Sequence, residues 1–203
     1  MNRFASIIKH AVVLSLTLVM AGASVAAAGP TAKAHRLSTE EYKFLLLVRK
    51  HANQGRNIIK YDPLLCKVAR AKAKDMIVRN FFNHTDPSGR GPNFMLARAG
   101  YRLPAYYSSD RSGNNVESIA KLTGGPKDAF ILFLKSPAHR PHVLAEDQFY
   151  RAQTHIGAGS YKSKKAPFYN TFVFLSAPRN LNQSVPALLL RAPNGKIIGK
   201  SGQ

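Results

Sequence analysis

The chain has 203 residues, with 30 Lys and Arg against 10 Asp and Glu, for a formal net charge of +20. A single cysteine excludes a disulfide framework within the chain. A surface this basic attracts polyanions, but its Lys and Arg residues are scattered rather than gathered in one block, and no nucleic-acid module motif is present.

The first segment reads as a secretory signal peptide over residues 1–28. Arg3 and Lys9 precede the apolar run AVVLSLTLVM, and AGASVAAAG follows with Ala-x-Ala choices near Ala26–Ala28. The run is too short for a membrane span, and no other stretch is long and apolar enough. Removal of this leader subtracts two positive residues from +20 and leaves about +18 on about 175 residues, enough for one domain with a proper core. The expected location is secreted or periplasmic.

Residues 29–37 read as a linker, and 38–178 as the domain. Ser38 and Glu41 fit a capping box, and Tyr42, Leu45, Leu46 and Arg49 mark a helix closed near Gly55. Asp62-Pro63 opens a second helix, with Leu65, Val68, Ala69, Lys72, Ala73 and Met76 as its stripe, running to about Asn80. Cys66 lies on its apolar side, as a core residue would. HTDPSGRGP is a loop in which Asp86 caps its own turn. A short helix over 93–99 and an irregular Tyr-, Ser- and Pro-rich segment over 101–115 follow. Gly125-Pro126 restarts a helix with Phe130, Ile131, Phe133 and Leu134 on its buried side, broken at Pro137, and one more turn spans His139–Leu144. HIGAGSY at 155–161 and FYNTFVFLSA at 168–177 read as strands, with Gly157 and Gly159 marking close backbone packing. Two apolar runs around Pro193-Asn194-Gly195 predict a hairpin in the extension 179–203. Helices first and strands last indicate an α+β class.

Three phrases carry the chemistry: FFNHTDPSGR at 81–90, NNVESIA at 114–120 and SPAHRPHVL at 136–144. Each holds one residue able to bind metal or move a proton: His84, Glu117 and His139. Two neutral imidazoles and a carboxylate suit zinc with an open position, or an acid–base pair. They equally suit a structural polar network in which Glu117 pairs with His84 and Arg140. His142, three residues after His139, is a further cleft-lining candidate, as are Ser136, His155 and Tyr106. Tyr106, with Tyr101, Tyr107 and Pro104, could line a groove or pack on the sheet. Ser136 has no base at a recognisable spacing, and SPAH lacks a nucleophile elbow.

The phrases, taken in order, resemble the bacterial branch of the CAP superfamily (cysteine-rich secretory, antigen 5 and pathogenesis-related 1 proteins, also called SCP domains). VESIA is similar to that family's GENIA phrase, SPAHRPHVL to SPxHRxNIL and HIGAG to IGVG, and the likeness covers residues 38–178. It implies a three-layer α–β–α sandwich around a small antiparallel sheet. It also implies a His/Glu cleft that holds zinc in several members, with His84, Glu117 and His139 in the matching places. The chain departs from the pattern at Val116 and Ser118, which flank the Glu in place of Gly and Asn. His142 stands where the family has Asn, no Trp precedes Ser136, and the second Glu of the tetrad has no counterpart. With the tetrad incomplete and no nucleophile evident, the reading favours a binding or interaction module using the cleft and the basic surface on an acidic cell-envelope polymer, an anionic lipid or a protein. The alternatives are a metal-assisted hydrolase of envelope peptide or glycan, and a polyanion binder acting through charge alone.

Overall fold

The computed structural model describes residues 34–165, 167, 169–180 and 189–200. Two units divide the chain, residues 1–31 and residues 32–203. The first, which contains the expected leader and the start of the expected linker, lies outside the described residues. Among those described, no helix is long and apolar enough to cross a membrane.

The helices start where capping chemistry allows. Helix α1 (Thr39–Lys50) is opened by the reciprocal Ser38–Glu41 box. Helix α2 (Pro63–Val78) is opened by Asp62, whose carboxylate accepts from the amides of Leu64 and Leu65. Helices α3 (Pro92–Arg98) and α4 (Pro126–Lys135) each begin with proline after glycine, where the missing N–H has no partner to lose. Two short turns follow, α5 (Arg140–Leu144) and α6 (Gln148–Arg151).

Strands β2 (Lys60–Tyr61), β3 (Glu117–Leu122), β4 (His155–Lys162) and β5 (Asn170–Ala177) form one sheet in the order β2-β4-β5-β3. The β3–β5 and β4–β5 pairs are antiparallel, while β2 joins β4 in parallel, so the sheet is mixed rather than wholly antiparallel. Alternate residues of β5 point to opposite faces and divide the core in two. Phe172 and Phe174 pack with Phe44 of α1 and Phe130 and Phe133 of α4. Val173 and Leu175 pack with Leu65, Val68, Ala69 and Met76 of α2 and Leu96 of α3. The result is helix, sheet, helix in three layers. Phe130 and Phe133 face inward as expected, but Ile131 is exposed and Leu134 only partly buried. The stripe of α4 is thus narrower than its run of apolar residues suggests.

Gly157 and Gly159 of β4 lie directly beneath α2. A Cβ on Gly157 would press on the backbone at Leu65 and Cys66, and one on Gly159 on that at Ala69 and Arg70. Cys66 is wholly buried there, and burial pushes its thiol far above the ordinary range.

The described parts of the expected linker and extension pair with each other. Strand β1 (Ala34–Arg36) pairs in parallel with β6 (Leu189–Arg191), which pairs antiparallel with β7 (Ile197–Lys200) around a turn at Gly195, φ +87°. Leu190 enters the same core as α1 and α4, and Ile198 packs against it. The pairing of β1 with β6 sets His35 beside Leu190. It joins the two ends of the described chain, which no local pattern announces.

Candidate functional site

Strand β3 is an edge strand, and its first residues are aimed by the turn before it. Asn114 Oδ1 accepts from the amides of Val116 (3.2 Å) and Glu117 (2.9 Å), and its Nδ2 donates to the Glu117 carbonyl at 3.2 Å. Glu117 therefore leaves the turn on the α2 face and Ser118 on the opposite face. His84 lies in the loop after α2, where the Lys72 ammonium donates to its carbonyl at 2.6 Å. His139 is the N-cap of α5, set there because the Ser136 carbonyl accepts from the His139 and Arg140 amides at 3.1 and 2.9 Å.

His84 and Glu117 meet. Nδ1 of His84 lies 2.9 Å from Oε1 of Glu117. A carboxylate only accepts, so Nδ1 carries the proton and, in the neutral ring, Nε2 holds the free lone pair. The His139 ring is 6.4 Å from the His84 ring, centre to centre, and packs edge-on to Phe133. Burial, then the neighbouring His84, lowers the His139 pKa. The three residues line one polar cavity of about 120 Å³ with Asn114, Ser118 and His142. A second cavity of about 220 Å³ lies on the α2 side, and His84 and Glu117 line both. Arg140 is not part of this network; it pairs with Glu146 at 2.7 Å.

A zinc ion held by His84, Glu117 and His139 needs three donor atoms converging at about 2 Å. Glu117 Oε1 is instead hydrogen-bonded to His84. Among the described residues, no group of three or more His, Cys, Asp or Glu could hold a metal ion. As placed, the trio does not fit a three-ligand zinc centre. The arrangement is one in which a carboxylate orients an imidazole.

The other cleft candidates separate. His142 does line the polar cavity, but as part of a closed hydrogen-bond network rather than as a free base. Its Nδ1 is 2.7 Å from Ser118 Oγ and its Nε2 is 2.7 Å from Ser176 Oγ. The Gln153 amide nitrogen donates to the Asn115 carbonyl and to Tyr107, so its oxygen faces Ser176 and accepts the Ser176 hydroxyl at 2.5 Å. Arg56 also donates to Ser176 Oγ. The remaining lone pair of Ser176 then takes a proton from His142 Nε2, and the bare Nδ1 accepts the Ser118 hydroxyl. Burial, and then the Arg56 charge, hold the His142 pKa well below 6.5, so the ring is neutral.

Ser136, His155 and Tyr106 do not line this cavity. Ser136 acts through its backbone at the end of α4. His155 begins β4, and β5 separates it from β3, about 10 Å across the sheet; its Nδ1 contacts Thr154 Oγ1 at 3.2 Å. Tyr106 is 68% exposed on the 101–115 loop and rests on Tyr107. Tyr101 and Tyr107 are buried, as packing residues would be, and with Pro104 they also line a separate cavity of about 470 Å³.

Several residues of the site carry no sequence signal of their own. Arg56 is buried and donates to the carbonyls of His142, Val143 and Gln153 at 2.8–2.9 Å. Burial lowers its pKa to about 10, with Asp147 acting in the other direction, so it stays charged. Gln153, Ser176 and Tyr150, whose ring lies 4.8 Å from that of His142, are equally silent in sequence. Asn114 could have been found, because Asn before a strand is a turn residue.

The model of the cysteine-rich secretory protein family (CAP) matches residues 34–175. The chain is 32% identical over 110 residues to the Bacillus subtilis (strain 168) protein named "Uncharacterized protein YkwD", covering 54% of this chain and 37% of that protein. The chain thus spans little more than a third of the length of that relative. Among solved structures it is similar to an outer surface protein from Borrelia burgdorferi, at 21% identity and TM-score 0.49, covering 68% of this chain and 91% of that one. It is also similar to an extracellular protein containing a SCP domain from Bacillus anthracis str. Ames, at 19% identity and TM-score 0.46, covering 67% and 40%. With the family model spanning most of the chain, from β1 to the later part of β5, the protein belongs to the cysteine-rich secretory protein (CAP) family.

Proposed function

We propose that the protein is an exported binding module of the cell envelope, which takes an acidic polymer on its basic surface and seats part of it at the His84–Glu117 pair. Export rests on the leader-like residues 1–28, and attraction to a polyanion rests on the net charge of +20, about +18 once the two positive residues of the leader are subtracted. The observation that carries the reading is the division of labour between adjacent residues. Glu117 and His84 stand between two small cavities with hydrogen-bonding capacity left over. Ser118, a hydroxyl that lines the polar cavity, is bound to a histidine kept neutral by burial beside Arg56, and an imidazole that resists protonation is a poor acceptor of a nucleophile's proton. The only thiol, Cys66, is buried away from the site. Contacts of this kind hold a ligand without forming a covalent intermediate.

Retention on isolated acidic envelope polymer, measured against salt, tests the reading. Wild type should bind with a steep salt dependence and keep residual binding at high salt, and that residual part should vanish in His84→Ala. Equal retention of wild type and His84→Ala at every salt concentration would leave charge alone as the cause. Binding to anionic vesicles but not to polymer would move the ligand to lipid.

A hydrolase reading is favoured by one observation, the Glu117-oriented imidazole whose Nε2 can serve as a base. Turnover of envelope peptide or glycan that is lost in both His84→Ala and Glu117→Gln would establish it. Turnover unchanged in either variant would end it.

A further inference from the structure

The 220 Å³ cavity on the α2 side of the pair has a composition that selects a ligand group. It is lined by Val68, Ala71, Pro92 and Met95 on its apolar side, and by Lys72, Glu117 and Arg90 among its polar residues. At that volume it sits below the range of about 300–1,000 Å³ typical of whole-ligand pockets, so it fits one appendage of a larger ligand. Lys72 is 8% exposed. One of its three donors goes to the His84 carbonyl, and its ammonium lies 4.9 Å from the Phe81 ring centre. It has no carboxylate within ion-pair distance among the described residues, because the nearby acids are engaged elsewhere. Asp75 is bound by Arg79, and Asp86 by Arg79 and Arg90. Glu117 gives Oε1 to His84, and its Oε2 has no hydrogen bond among the described residues.

The cavity therefore offers a donor on Lys72 and an acceptor on Glu117 beside a small apolar wall. An anionic appendage would meet Lys72 but face Glu117, Asp75 and Asp86. A cationic one would meet Glu117 but face Lys72 and Arg90. A neutral group with one acceptor, one donor and a small apolar end matches all three features. A peptide backbone supplies such an amide, but its chain must continue on both sides; an acetamido group is terminal and can fill a compartment of this size.

We propose that this cavity binds the acetamido group of an N-acetylated amino sugar, its carbonyl on Lys72, its N–H on Glu117 and its methyl against Val68 and Met95. This names the ligand class of the module described above and rests on that reading, since the sugar is taken to be part of the envelope polymer.

The test uses the full chain with ¹³C-labelled methionine methyls. Met76 is buried in the core and serves as the internal control for Met95. Titration with the N-acetylglucosamine trimer should move the Met95 methyl resonance to saturation and leave Met76 still. The de-N-acetylated trimer and acetate should not move it. Lys72→Leu should weaken the trimer about tenfold, the loss of one hydrogen bond to a charged group. Ala71→Leu, at an exposed helix position on the cavity rim, should do the same without disturbing a buried group. No Met95 shift, an equal shift with the de-N-acetylated trimer, or tighter binding of N-acetylalanine amide than of the acetylated sugar would each overturn the proposal. Retention of wild type on envelope polymer is measured in parallel. Retention without a Met95 shift overturns this inference alone, and failure of retention overturns the module reading.

Discussion

Glu117 and Ser118 are neighbours on one strand, yet they open onto two different chemistries. On the Ser118 side, the His142, Ser176, Gln153 and Arg56 side chains satisfy one another and the surrounding carbonyls, and the tautomer of the histidine follows from counting donors. On the Glu117 side, the His84 ring is bound through Nδ1, a third of its side chain remains exposed, and two cavities adjoin it. The closed side has its hydrogen bonds filled, and the open side keeps the unfilled capacity on which the proposed binding rests. A polar cluster is a site only where its hydrogen-bonding capacity is unfinished.

The strongest way to break this comparison is Arg56→Met. It removes the donor that serves three buried carbonyls and Ser176, and should lower stability by about 3 kcal/mol or more, read by chemical denaturation. His84→Ala leaves the buried Glu117 carboxylate without its partner and should cost about 1–3 kcal/mol in the same assay, less than Arg56→Met, while removing the salt-resistant part of polymer binding. If His84→Ala proved the more destabilising of the two, the roles assigned to the two sides would be reversed.

Acid sharpens the contrast. The folded state holds the His142 pKa well below its ordinary 6.5 through burial and then Arg56. Below about pH 6.5 the unfolded chain takes up a proton that the folded chain refuses. The stability from neutral His142 is thus fully present above that pH and falls as the pH drops towards the folded value. The slope approaches about 1.4 kcal/mol per pH unit. His139, lowered by burial and His84, adds to the loss with the same sign. His142→Asn should flatten the acid limb of stability against pH, and an unchanged limb would remove His142 as its cause.

The smallest expected effect is that of Glu117→Gln. Its amide can still accept from His84, so stability should change by under about 1 kcal/mol, while polymer affinity should fall a few-fold as His84 loses its charged partner. Calorimetric titration reads both the change in affinity and its absence.

Much of this was legible from residue order. Ser38 with Glu41 and Asp62 with Pro63 mark helix starts by side-chain chemistry that acts over three residues, and both are realised. Gly157 and Gly159 announced close packing, and α2 lies there. The phrases around His84, Glu117 and His139 mark three residues that line one cavity, but not their bonding. A three-ligand zinc set requires convergence, and whether Glu117 faces an ion or a neighbouring imidazole depends on side-chain placement that spacing does not encode. Ser136, His155 and Tyr106 fell outside the cavity for the same reason.

The sequence by itself determined α1 to α5, the caps of α1 and α2, the two long strands and the family, because those features are written in local periodicity, capping and ordered phrases; the short α6 carried no such signal. Only the tertiary structure decided that β1 pairs with β6, that Arg56 lies beneath His142, and that Glu117 turns to His84 while Ser118 turns away. The His84–Glu117 and Arg56–Ser176 bonds join residues 33 and 120 positions apart. Such partners are chosen by the packing of helices on the sheet, to which no short window of sequence has access.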